Sequence, residues 1–226
     1  KGVIIQSGND ASVALAEYIS GTEEVFAELM NQYASKLGMT NSHFMNSTGL
    51  PDEQHYTTPK DMAILADALI RDAPEIYALH SVKEFTFNRI TQQNRNKLLW
   101  RDPSVDGIKT GHTEAAGFCL VASAKKENMR LISVVMGTES VDTRAKATQS
   151  LLGYGFRFYE TQKIYGANEN ITSVRIWKGD AEELVLGIDA DLYVTFPRGQ
   201  KNQLRTEFNL SEKYIAPVGK DDVQGS

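Results

Sequence analysis

Apolar residues recur at helical spacing through the first third of the chain and at strand spacing later. Residues 11–19 are rich in Ala, with apolar side chains three and four apart. That spacing predicts a helix, and Asn9 or Asp10 would cap it. Thr22 predicts the cap of a second helix, with Glu23 and Glu24 in the first turn, where the helix dipole favours acids. Val25, Phe26, Leu29, Met30, Tyr33 and Leu37 form one stripe that reads as core, and Gly38 ends it. Periodicity then lapses over residues 39–57, an irregular loop containing Asn46-Ser47-Thr48-Gly49-Leu50-Pro51. Thr58-Pro59 predicts the start of a third helix, with Pro at its first position. Its buried side would carry Met62, Ile64, Leu65, Ala68 and Leu69. One more short helix is predicted over 72–80.

Strand-like patterns follow. Phe85, Phe87 and Ile90 alternate within residues 83–91. Residues 92–96 are polar and predict a turn, and Leu98-Leu99-Trp100 a small apolar anchor. Two nearly continuous apolar runs, 117–124 and 129–136, are joined by the polar link 125–128 and predict a hairpin. Such runs belong to a sheet covered by helices on both faces. Residues 141–159 predict a closing helix in which Gly153 and Gly155 allow close packing. From about Tyr165 short alternating runs appear at 173–177, 184–188, 192–196 and 204–210. Turn signals at Lys178-Gly179-Asp180 and Pro197-Arg198-Gly199 separate them. The pattern predicts an α+β chain: a helix-and-sheet domain over 1–163 and a small all-β domain over 164–226.

Composition narrows the function. The chain has 226 residues, 41% of them hydrophobic, enough for a proper core. A net charge of −5 and the lack of a dense Lys/Arg run argue against nucleic acid as a partner. Cys119 is the single cysteine, which rules out an internal disulfide framework and suits cytosol or periplasm equally. It lies inside the first hairpin strand, a packing position. His43 and His55 lack ligand spacing and a third ligand, so no metal site is called. No apolar run is long enough to span a bilayer. Both ends read like the interior of a longer chain, and no signal peptide opens it.

The candidate chemistry centres on Val105-Asp106-Gly107-Ile108-Lys109-Thr110-Gly111-His112-Thr113. Lys109 supplies positive charge, Thr110 a hydroxyl, and Gly111 lets a ligand lie close to the backbone. Lys-Thr-Gly alone also describes a solvated turn. It is no phosphate loop, because Ile108 stands where that loop needs a Gly. Ser7-Gly8-Asn9, about a hundred residues upstream, gives it weight. In an acyl-transfer site a Ser hydroxyl can relay a proton and an Asn amide can hold a substrate carbonyl. Taken alone, Ser7 and Asn9 also fit a plain turn and cap, and Arg95 a solvated turn residue.

These motifs, with Asn94-Arg95-Asn96 and Leu98-Leu99-Trp100, resemble the low-molecular-mass penicillin-binding proteins, the serine-type D-alanyl-D-alanine carboxypeptidases of bacterial cell walls. The resemblance covers roughly residues 1–220. It implies a β-lactamase/transpeptidase-like domain, an antiparallel sheet flanked by helices, followed by a small all-β domain, with both ends incomplete. It implies that Ser7 relays a proton, that Asn9 binds the peptide carbonyl and steadies a catalytic lysine, and that Lys109 completes the positive charge. Thr110 would bind the terminal D-Ala carboxylate, with Gly111 beside it. The His112 backbone N–H would donate to an oxyanion hole, and Arg95 would sit near the substrate carboxylate. Loop 40–57 would close one rim, with Asp72 bracing it; some members carry His where Thr48 stands. The implied partners are peptidoglycan stem peptides ending in D-Ala-D-Ala and β-lactam antibiotics, with no cofactor. The implied location is the periplasm, at the inner membrane through a C-terminal segment absent from this sequence.

One family motif is missing. Ser-x-x-Lys, which carries the nucleophile, belongs in front of Ser-x-Asn. The one literal match, Ser123-Ala124-Lys125-Lys126, follows Lys-Thr-Gly at the end of a strand and reads as chance. The expectation is therefore a nucleophile on a preceding segment outside this sequence. Two further readings stand beside the carboxypeptidase. One is a non-catalytic module that binds peptidoglycan peptides or β-lactams. The other is a class A-like β-lactamase, for which Glu53 is the rim-loop candidate for a deacylating base.

Overall fold

The computed structural model describes residues 1–220 and 222–225. The chain divides into two compact units, Lys1–Phe156 and Arg157–Ser226.

The first unit opens with a π-helical turn, Gly2–Gln6, followed by α1 (Asn9–Ser20) and α2 (Glu23–Leu37). Thr22 caps α2 by accepting the Val25 N–H at 3.3 Å, and Gly38 ends it at φ 82°, a left-handed conformation that suits Gly. The cap of α1 differs from expectation. Gly8 is the N-cap and has no side chain to bond, Asn9 is already helical, and Asp10 Oδ1 accepts the adjacent Ala11 N–H. The apolar stripe of α2 is also not the core as expected. Ala16 of α1 and Ala27 and Ala34 of α2 are buried, while Val25 and Tyr33 are half exposed. Small residues set the close approach, so the larger ones are left at the margins.

Loop 39–57 is irregular but pinned. Asn31 of α2 exchanges two hydrogen bonds of 2.8 Å with the Phe44 backbone. Glu23 Oε1 accepts the Ser47 N–H at 2.9 Å. α3 (Pro59–Asp72) starts with Thr58 accepting the Asp61 N–H at 3.2 Å. The carboxylate that braces the loop is Asp61, not Asp72. Asp61 is 1% exposed, and its Oδ2 accepts from Asn41 N–H at 2.8 Å and Ser42 Oγ at 2.7 Å. Asp72 is exposed and pairs with its neighbour Arg71.

After α4 (Pro74–Tyr77) and a 3₁₀ turn, Ala78–Ser81, comes a hairpin of β1 (Glu84–Phe87) and β2 (Ile90–Gln93). Its turn is at Asn88 and Arg89, both at positive φ, and β2 runs through part of the expected 92–96 turn. Asn and a neighbouring residue in this conformation make a tight hairpin turn. α5 (Leu98–Arg101) buries Leu98 and Leu99 but leaves Trp100 44% exposed, so two residues rather than three form the anchor.

The central sheet has the order β3 (Val105–Thr113), β4 (Gly117–Lys126), β5 (Met129–Thr138), all antiparallel. Alternation along β4 serves both faces. Leu120, Ala122 and Ala124 pack with Leu98 and Leu99 and with Ala145 and Leu152 of α6 (Val141–Phe158). Val121 faces the other way, with Ile108, Tyr77 and Ala66 of α3. Helices thus cover both faces, as the continuous apolar runs predict. Of the two helix glycines, Gly155 allows a close approach: a Cβ there would lie 2.5 Å from Leu131, whereas at Gly153 it would meet nothing within 4 Å.

The second unit holds β6 (Tyr159–Tyr165), β7 (Thr172–Trp177), β8 (Glu183–Leu186), β9 (Leu192–Pro197) and β10 (Tyr214–Ile215). β6 pairs with β9 and β7 with β8, both antiparallel, while β10 runs parallel to β7. Phe196 and Tyr214 are buried. Residues 204–210 alternate but form no strand; Leu210 makes one isolated bridge, to Gly225. Alternation says which face a residue would take, not that a partner edge exists.

Replacing Asp61 with Ala leaves the Asn41 N–H and the Ser42 hydroxyl without their buried acceptor. The expected cost is about 2 kcal/mol in denaturant unfolding, with faster amide exchange at Asn41. Unchanged exchange there would contradict the bracing role.

Candidate active site

Two distant stretches meet at one side-chain contact. Lys109 Nζ, on β3, donates to Ser7 Oγ across 102 positions of sequence. Ser7 ends the π-helical turn in a left-handed conformation, φ 59° and ψ 46°. Its N–H is held by the Val3 carbonyl at 3.1 Å and that of Gly8 by the Gly2 carbonyl at 3.3 Å. A non-glycine residue in this conformation costs about 1 kcal/mol. The turn therefore holds the hydroxyl at the head of α1 rather than letting the helix begin earlier.

Lys109 is mostly buried, and its Nζ also donates to the Thr110 carbonyl at 2.8 Å. Burial pulls its pKa down from 10.5 to about 8, and the charges of Arg95 and Arg144 push the same way. The charges of three cations thus act on one another, and among the described residues none of the three forms an ion pair with a carboxylate. The array fits an anion brought in by a ligand. Arg95 is exposed, whereas Arg144 is 5% exposed. Arg144 Nη1 donates to the Gly111 carbonyl at 3.1 Å and to the Cys119 carbonyl at 3.2 Å, tying α6 to the β3–β4 pair.

The other expected residues lie along the same strand. Thr110 is buried and Gly111 exposed. A Cβ on Gly111 would meet nothing nearer than Cys119 Cβ at 3.9 Å, so the space before it is open to a ligand. The His112 ring packs on Phe118 at a centroid distance of 3.9 Å, and the Arg144 guanidinium lies 5.6 Å from the same ring. Asn9 is exposed in the first turn of α1, two residues from Ser7.

The backbone before Lys109 is clamped by side chains. Asn96, buried, donates to the Gly107 carbonyl at 3.0 Å. His80 Nδ1 lies 2.9 Å from the Ile108 carbonyl, which can only accept, so this nitrogen carries the proton. Burial holds the His80 pKa below its usual value, and the charge of Lys109 adds to this. Asp106 accepts from Tyr77 Oη and from both terminal nitrogens of Arg130, at 2.9 and 2.8 Å. Burial first, then the Asp106 contact, pushes the Tyr77 hydroxyl up to about 12.

Several of these residues have no motif. Arg144 shares a helix face with Thr148 and Leu152, so a cation on an otherwise buried stripe was its one local signal. Tyr77, His80 and Arg130 reach β3 from 24 to 29 positions away, with no spacing to betray them. Ser123 of the chance Ser-x-x-Lys match is fully buried in β4, and its hydroxyl accepts from Arg130. It is a structural group. Among the described residues no cluster of three or more His, Cys, Asp or Glu could hold a metal ion.

Comparison with known proteins gives the family. A family model described as D-alanyl-D-alanine carboxypeptidase matches residues 1–140. A second, described as the C-terminal domain of penicillin-binding protein 5, matches residues 159–226. The chain is 49% identical to the D-alanyl-D-alanine carboxypeptidase DacC of Escherichia coli, over 100% of this chain and 57% of that protein. It therefore spans little more than half the length of that curated relative. The structure resembles penicillin binding protein 5 from Haemophilus influenzae with a TM-score of 0.85 and 45% identity, covering 99% of this chain and 66% of that one. It also resembles a penicillin-binding protein of Listeria monocytogenes solved in its cefotaxime-bound form, with a TM-score of 0.64 and 31% identity, over 69% of this chain and 64% of that one. With Ser-x-Asn and Lys-Thr-Gly joined in one site and the family match running from the π-helical turn through the central sheet, the chain belongs to the D-alanyl-D-alanine carboxypeptidase family.

Proposed function

We propose that the full-length protein is a serine D-Ala-D-Ala carboxypeptidase that trims peptidoglycan stem peptides and is acylated by β-lactams. The contact between Lys109 Nζ and Ser7 Oγ carries this reading, because it puts a hydroxyl and a depressed lysine side by side. A serine on a segment preceding Lys1 attacks the carbonyl carbon of the D-Ala-D-Ala amide. Its proton passes through Ser7 Oγ to the leaving nitrogen, the C–N bond breaks, and D-Ala departs. Water then hydrolyses the ester. Asn9 holds the peptide carbonyl of the substrate. Thr110 and Arg95 take the terminal carboxylate, with Lys109 and Arg144 supplying field. The His112 N–H, beside Gly111, faces the developing oxyanion.

A peptidoglycan substrate supports a periplasmic location for the enzyme. Attachment to the inner membrane is assigned to a C-terminal segment outside this sequence; among the described residues no helix is long and apolar enough to cross a membrane. Nothing favours the β-lactamase alternative: Glu53 is exposed in a loop whose anchoring bonds come from Glu23, Asn31 and Asp61.

Ala substitution of Ser7 or Lys109 in the full-length protein is expected to lower kcat/KM for D-Ala release at least ~100-fold. Activity near wild type in both variants would contradict the assignment. Thr110→Val is expected to raise KM with little change in thermal stability; an equal loss of stability would count against a binding role.

Lys109 also predicts a pH dependence. Its folded pKa, about 8, lies below its ordinary 10.5. Between these values the unfolded chain binds more protons, so its contribution to stability rises with pH. Denaturant unfolding of wild type against Lys109→Met should show this gain between pH 8 and 10.5. Parallel curves would show that the amine is not depressed.

A further inference from the structure

β3 carries a bulge three residues ahead of Lys109. Val105 pairs with Ala124 and Gly107 with Ser123, so Asp106 is an extra residue with no register partner on β4. One added residue changes which face every later residue of a strand takes, which is how a bulge re-aims side chains. The direction of Lys109 therefore depends on where this bulge sits. Asp106 is held from two other elements. Its Oδ1 accepts from Tyr77 Oη of α4 and, at 2.9 Å, from Arg130 Nη1 of β5, and its Oδ2 accepts from Arg130 Nη2 at 2.8 Å. Arg130 Nη1 also donates at 2.5 Å to Ser123 Oγ, on the residue that faces Gly107 across the ladder. The Tyr77 ring closes in on the next residue: a Cβ on Gly107 would lie 3.1 Å from Tyr77 Oη. The Arg130 and Asp106 side chains are 27% and 32% exposed, so solvent weakens the pair as a source of stability, while its two-point geometry still fixes a direction. At the far end of the motif Arg144 holds the Gly111 carbonyl at 3.1 Å. Lys109 thus lies between two fixed points.

We propose that Asp106, held by Tyr77 and Arg130, is a positioning residue for the reaction: it pins the bulge and so aims the Lys109 ammonium at Ser7 Oγ. The inference rests on the carboxypeptidase reading and adds to it a residue that acts through Lys109 rather than on substrate. Because Arg144 holds the Gly111 end independently, loosening the bulge frees Lys109 more than Thr110. The loss then falls on kcat rather than on KM.

The test uses the full-length protein and an acylated peptide ending in D-Ala-D-Ala. Asp106→Ala is expected to lower kcat for D-Ala release at least ~10-fold, with KM within about twofold of wild type. Tyr77→Phe, which removes only the hydroxyl bonded to Oδ1, should lower kcat about threefold. In a Lys109→Ala background Asp106→Ala should cause no further loss, because both changes disable the same group. A role in folding alone would lower activity in both backgrounds alike. A second measurement needs no turnover. Wild type should gain stability to denaturant between pH 8 and 9.5 from its buried Lys109, and Asp106→Ala should lose that gain, as Lys109→Met does. Should Asp106→Ala not fold, Tyr77→Phe takes its place in both measurements. Wild-type kcat in both variants, a loss that persists in full alongside Lys109→Ala, or an undiminished pH-dependent gain would overturn the positioning role. If wild type releases no D-Ala, the carboxypeptidase reading falls, and the unfolding curves still decide whether Asp106 holds Lys109 in place.

Discussion

The burial of one ammonium group beside two guanidinium groups is the constraint on which the site depends. Lys109 loses solvation on β3, and Arg95 and Arg144 oppose its charge. Such an arrangement is unfavourable on its own. It persists because the fold fixes each participant independently. Arg144 is held to the Gly111 and Cys119 carbonyls, and the backbone ahead of Lys109 is gripped by Asn96, His80 and the Asp106 network. In the function proposed, the carboxylate of the substrate would relieve this repulsion on binding.

That requirement explains several choices in the scaffold. The sheet is covered on both faces, which gives the clamping residues rigid positions around β3, its edge strand. The clamp is polar and half buried, yet its groups have partners, which keeps it from costing more than it contributes. Burial and the charge of Lys109 hold the His80 pKa down, and its Nδ1 proton is committed to a backbone carbonyl. The left-handed Ser7 is a local cost accepted so that its hydroxyl meets the lysine rather than starting the helix.

Local rules read the scaffold well. The Thr22 and Thr58 caps, the Gly38 stop, Pro59 at a helix start and the β4–β5 hairpin are all short-range chemistry. The reading failed where tertiary packing decides. Small alanines, not the large stripe residues, bury α2, and Asp61 rather than Asp72 holds the rim loop. The run at 204–210 has strand periodicity but, among the described residues, pairs only through the Leu210–Gly225 bridge. The two motifs of the site were legible because they are contiguous. Arg144, Tyr77, His80 and Arg130 were not, because their roles arise from contacts that no spacing encodes.

The most direct test of the central claim is the intact mass of the full-length protein after exposure to a labelled penicillin, followed by mapping of the label. The account predicts a single label on a serine preceding Lys1, with the Ser7–Lys109 pair unmodified. A label on Ser7 or Ser123, or no label on a folded protein, would contradict it.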